Sequence, residues 1–129
     1  GVKVNIQRVP WDKFLADVEG KAAFSINGFF SRPTVDTSLY PWYHSSGSWN
    51  TGLWHYKNER VDRLLDTARQ TASLEERRKL YRELQQVVAE DPPSVVPYVV
   101  NQVDGFRKEV KGLRSNPMLW FDVRQVTLE

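Results

Sequence analysis

The sequence predicts an α/β fold, a βαβ unit with a short mixed sheet and three flanking helices, on the strength of three observations. Val2, Val4 and Ile6 alternate with Lys3, Asn5 and Gln7, the period of two that marks a half-buried strand. Trp11, Phe14, Leu15 and Val18 then fall on one helical face, between Pro10, which suits a first helical turn, and Gly20, which closes the segment. Residues 23–30 are a second apolar run of strand length. Strand, helix and strand within about 30 residues make a βαβ unit, whose strands are parallel with a right-handed crossover.

Residues 31–57 are irregular and rich in serine, glycine, proline and aromatic side chains. Loops longer than about 15 residues are uncommon in compact domains and are usually functional, so this segment is the candidate ligand loop, with room for a short helix over residues 37–44. Two amphipathic helices follow. Asn58 caps the first, whose apolar face is Val61, Leu64, Leu65 and Ala68; Ser73 and Glu76 form a capping box for the second, with Leu80, Leu84, Val87 and Val88 inward. Pro92 and Pro93 end that helix, residues 95–100 read as a strand, and a turn at Asp104-Gly105 leads to a hairpin partner through Val110. Residues 119–128 alternate enough for one more strand.

Composition narrows the function. The 129 residues are the size of one domain, and eighteen basic against sixteen acidic residues leave a net charge of +2, without the concentrated basic stripe that nucleic-acid binding needs. Alternating signs at Glu75, Arg78, Lys79 and Arg82 fit a solvated helix face. Cysteine is absent, which removes disulfides, thiolate catalysis and cysteine zinc sites. No apolar run approaches the roughly 20 residues needed to span a bilayer, and no basic leader precedes an apolar stretch. A secreted parent needs such a leader, so the chain is expected to be cut from something longer.

Catalytic signatures are sparse. His44 and His55 lack the helical i, i+4 spacing and the neighbours of a metal site, and no nucleophile elbow, phosphate loop or dinucleotide fingerprint occurs. The chain reads as a binding protein with no cofactor. The rival readings are a carboxylate hydrolase using Asp36 and Asp62, a metal site at His44 or His55, and a nucleic-acid-binding domain.

Three stretches carry a family resemblance: Val61-Asp62-Arg63-Leu64-Leu65-Asp66-Thr67-Ala68-Arg69, Glu76-Arg77-Arg78-Lys79-Leu80-Tyr81-Arg82-Glu83-Leu84-Gln85, and Glu90-Asp91-Pro92-Pro93-Ser94-Val95-Val96-Pro97-Tyr98. Together with Trp49-Asn50 upstream, they resemble the carboxy-terminal region of the dipeptide/oligopeptide-binding proteins, the extracytoplasmic solute-binding family 5 that serves ABC transporters. The resemblance implies the latter half of the second lobe of a two-lobed periplasmic binding protein, plus its return segment. It also implies a peptide or similar small ligand, a membrane-embedded ABC permease as partner, and a periplasmic or extracytoplasmic location, compatible with a lipoprotein anchor. The remainder of the parent chain would cover apolar surface here, so the fragment alone is expected to self-associate.

The candidate site follows from the same reading. Gly28 to Asp36 fall at the end of the second expected parallel strand, where open α/β sheets place ligands. Phe29, Phe30, Ser31, Arg32, Asp36, Trp49 and Trp54 are the candidate ligand-binding residues, with Trp42 beside them as a further aromatic wall. Relatives of this type carry, at the position of Arg32, an aspartate that pairs with the ligand's ammonium. A guanidinium there favours a carboxylate or phosphate instead, and Asp36 is left either to take the ammonium or to orient Arg32. Asp62, Arg69, Arg78 and Tyr81 are expected to be scaffold.

Overall fold

The computed structural model describes residues 1, 3–29, 32–101, 103–114, 116 and 120–129. Its centre is a helical hairpin. Asn58 Oδ1 accepts the Arg60 and Val61 amides and so starts α4 (Glu59–Gln70), and Ser73 Oγ accepts the Glu76 amide to start α5 (Leu74–Glu90). The two stripes read from the sequence meet. Val61, Leu64, Leu65 and Ala68 of α4 pack on Tyr81, Leu84 and Val87 of α5, with Leu80 and Val88 at the margin. Asn58 Nδ2 also reaches Asp91 Oδ2 at 3.1 Å, which ties the start of α4 to the end of α5. On the solvent side Arg60 pairs with Glu83, Arg63 with Glu59 and Lys79 with Glu75.

A shorter helix packs on this hairpin. Thr34 and Thr37 exchange side-chain and backbone bonds as a capping box and begin α2 (Val35–Tyr43), whose Leu39, Tyr40 and Tyr43 lie against the hairpin core. The one-turn α3 (Asn50–Leu53) follows. The segment read as an irregular ligand loop with room for a short helix over residues 37–44 thus contains two helices, the first starting at Val35. Nearer the amino terminus, α1 (Trp11–Lys13) runs on through a π-helical turn, Phe14–Val18, and Gly20 ends it at φ +68°. An added Cβ at Gly20 would lie 2.4 Å from the Gly52 carbonyl oxygen, so only glycine permits this approach.

The sheet departs from expectation. Among the described residues it consists of β1 (Val110–Lys111) paired antiparallel with β2 (Thr127–Leu128), in the register Val110 with Leu128 and Lys111 with Thr127. Residues 3–9, 22–29 and 95–101 hold no β-ladder, so the βαβ pairing and the strand at 95–100 are not formed here, and Val110 pairs with the tail rather than across the 104–105 turn. Val2, Phe30 and Leu119 lie outside the described residues. The reason is physical: a strand leaves its amides and carbonyls unpaired until a neighbour supplies a ladder, and no neighbour does. The apolar side chains of these segments stay in water, with Ile6 85% and Val99 87% exposed. Among the described residues no helix is long and apolar enough to cross a membrane.

Candidate ligand-binding site

The candidate site is carried on a bracket, residues 35–56, fastened to the hairpin by polar contacts. Asn50 is its central staple. Its side chain is wholly buried; Nδ2 donates to the His44 and Tyr56 carbonyls, and Oδ1 accepts the Tyr56 amide, each at 2.8 Å. Three backbone groups of an otherwise irregular loop are satisfied by one side chain. Gly47 completes the turn, because an added Cβ would stand 2.5 Å from the Pro41 carbonyl oxygen and 2.6 Å from that of Tyr40. The Trp49 amide donates to the Pro41 carbonyl at 3.1 Å, which folds the loop back on α2.

His44, 8% exposed, closes the bracket against α4. The Ser46 amide donates to its Nδ1 at 3.1 Å, so Nδ1 holds a lone pair and the ring proton sits on Nε2. Nε2 faces Asp66 Oδ2 at 3.5 Å and Asp62 Oδ1 at 4.0 Å, while Asp62 Oδ1 also accepts the Ser45 amide at 2.8 Å. Nε2 makes no hydrogen bond among the described residues, so the polar tie of this end of the loop to α4 is the Ser45 amide on Asp62. Among the described residues no three His, Asp or Glu side chains form a group able to hold a metal ion, and His55 is exposed, with a left-handed φ of 53°.

The bracket gathers the aromatic residues. Phe29 meets Trp42 at 4.0 Å and Trp54 at 5.6 Å between ring centroids; Trp42 stacks on Trp49 at 5.2 Å and 12°, and lies 5.7 Å from Trp54, which Tyr43 meets edge-on at 5.8 Å. Phe29 and Trp49 remain 47% and 45% exposed, so the cluster offers ring surface to solvent as well as to itself. Phe29, Trp49 and Trp54 are therefore brought together, and Trp42 is their hub. Phe30 and Ser31 lie outside the described residues.

The two charged candidates part company. Asp36 does not orient Arg32: its Oδ1 pairs with Arg69 Nε at 3.1 Å, across to α4. Arg69 also lies 3.7 Å over the Tyr40 ring, and Tyr40 stacks on His44 at 4.3 Å. Arg32 is exposed, and among the described residues no carboxylate pairs with it. With Asp36 paired to Arg69 and Asp62 accepting the Ser45 amide, the two carboxylates of the hydrolase reading each join α2 or its loop to α4. Sequence reasoning gave no structural role to His44 and named Asn50 only within a motif. The one signal for Asn50 was its place beside Trp49 in the family resemblance, which does not say what it bonds. A shallow hollow of about 420 Å³ on α5, lined by Leu74, Glu75, Arg78, Lys79 and Arg82, belongs to the charged solvent face.

Comparison with known proteins agrees with the reading from the three sequence stretches. Dipeptide-binding protein DppE of Bacillus subtilis (strain 168) is 26% identical over 125 residues, which are 96% of this chain and 23% of that protein. The chain is similar to part of a dipeptide-binding protein. It spans under a quarter of the length of that curated relative. No family model matches the sequence, and no solved structure matches it.

Proposed function

We propose that this chain is the part of a peptide-type solute-binding protein that presents an aromatic wall to the ligand, within a protein that serves an ABC permease outside the cytoplasm. The observation that carries the reading is the extent of the similarity to DppE, 96% of the chain, which takes in the hairpin and the aromatic bracket alike. The relative is more than four times as long as the matched stretch, so the rest of a two-lobed protein would supply the strands that residues 3–9, 22–29 and 95–101 lack. The mechanism is binding without bond-making. A ligand held between lobes favours the closed form by its difference in affinity for the two forms, and the permease reads that form.

Within this reading the cluster of Phe29, Trp42, Trp49 and Trp54 accepts apolar or aromatic side chains of the ligand. Arg32 offers a guanidinium to its carboxylate. Calorimetry with a panel of dipeptides, on the protein at its full translated length, tests the proposal. Binding is expected, and Trp42→Ala should weaken it about ten-fold, since aromatic contact plus the buried area of one indole exceeds roughly 1.4 kcal/mol. Arg32→Ala should cost about the same for ligands with a free carboxylate, and Arg32→Lys should recover part of it. Absence of binding across the panel would sink the proposal, and release of free amino acids would return the hydrolase reading.

A further inference from the structure

Arg69 stands in the last turn of α4 and takes no part in the aromatic cluster. Its guanidinium makes two contacts with one neighbouring helix: the pair with Asp36 at 3.1 Å and the stack on Tyr40 at 3.7 Å, one turn apart on α2. Leu39, Tyr40 and Tyr43 pack apolar surface on the hairpin, and just past the end of α2 the Ser45 amide donates to Asp62 of α4 at 2.8 Å, so the Arg69 contacts are those that hold the amino-terminal half of α2. Apolar contact is non-directional; Asp36 Oδ1 makes no hydrogen bond among the described residues, so the pair with Arg69 is Coulombic, and it is the guanidinium lying at once beside this carboxylate and over the Tyr40 ring that marks one face of α2 for α4. Trp42 leaves α2 on another side and meets Phe29 at 4.0 Å, and Phe29 comes from a segment with no helix or ladder to hold it. Their contact therefore depends on where α2 points the indole.

We propose that Arg69 is a positioning residue for the candidate site: by gripping Asp36 and Tyr40 it fixes the roll of α2 and so the meeting of Trp42 with Phe29, without touching a ligand. The inference rests on the aromatic cluster being the ligand wall, but its test does not. In the full 129-residue chain, the ring current of Trp42 should displace the NMR signals of the Phe29 ring protons from their free-phenylalanine positions, with Phe29→Leu giving the assignment. Arg69→Met keeps the aliphatic stem and removes the fork; it should return those signals at least half way, and Arg69→Lys should fall between it and the wild type. Arg60→Met, on the same helix but paired with Glu83 of α5, should leave them in place. Unchanged Phe29 signals in an Arg69→Met chain that keeps its helical circular dichroism would overturn the proposal, as would an equal effect of Arg60→Met. Should Arg69→Met lose its helices, Asp36→Asn decides by the same signals, which must shift for the proposal to stand. A wild-type protein that binds no dipeptide defeats the functional reading and leaves this result intact.

Discussion

The α4–α5 hairpin and the extended segments around it are both rich in branched apolar side chains, and they meet water in opposite ways. In the hairpin Val61 and Leu65 are fully buried, whereas Ile6, Phe24 and Val99 are more than four-fifths exposed. A helix satisfies its own backbone, so one partner for its apolar stripe is enough, and the three-residue connection of 71–73 brings that partner alongside. A strand satisfies nothing alone; it needs a neighbour along each edge and cover on each apolar face. Residues 95–100 are apolar on both faces, the pattern of a strand buried within a sheet. The hairpin thus buries its apolar stripes, with α2 at its margin, while the segments at 3–9, 22–29 and 95–101 leave theirs exposed; under the proposed function a larger sheet would cover them.

Substitutions can break this contrast at several depths. Leu65→Ala, at the centre of the hairpin core, should cost about 2 to 5 kcal/mol in chemical denaturation, because the surrounding helices cannot fully close the cavity. A loss below about 1 kcal/mol would mean that the two stripes are not packed as described. Asn50→Ala should cost roughly 2 to 3 kcal/mol, since it strands the Tyr56 amide and two carbonyls in a buried loop, and it should blue- or red-shift the tryptophan emission as Trp49 and Trp54 loosen. Emission identical to the wild type would separate the staple from the cluster. Asn58→Ala removes the cap of α4 and should cost about 1 kcal/mol, with Asn58→Gly milder. Val99→Ala marks the other pole, with an expected change within about 0.5 kcal/mol in the 129-residue chain. In the two-lobed parent of the proposed function, where neighbouring strands would cover the side chain, the same change should cost about 1.5 kcal/mol. Equal small effects in both would remove the argument that these segments await a sheet.

What could be read from the sequence divides along the same line. The hairpin was legible because its code is local: a cap at Asn58 or Ser73, an apolar stripe of period 3.6, and prolines at 92 and 93 to stop it. Tyr81 fell among scaffold residues and proved to be core, its phenol pKa raised above the usual tyrosine value first by burial and then by the charge of Asp36. The strands were legible only as propensity, since pairing depends on a neighbour that a local pattern does not name. Site residues fared unevenly. The aromatic side chains gather because large apolar rings leave water together, so composition foretold the cluster. Of the two roles read for Asp36, orienting Arg32 fails because that cation is merely the nearest along the chain, while the fold brings in Arg69 from 33 positions away. Asn50 bonds carbonyls six residues off in either direction, and nothing in its own side chain announces that.

Hydrogen exchange read by mass spectrometry, on the full-length protein with and without a saturating dipeptide, tests the central claim most directly. The account predicts that ligand slows exchange across residues 35–56, the bracket that holds Trp42, Trp49 and Trp54, while residues 59–90, protected already by the hairpin core, change little. Protection confined to residues 74–90, or none at all in a protein that binds the dipeptide, would contradict it.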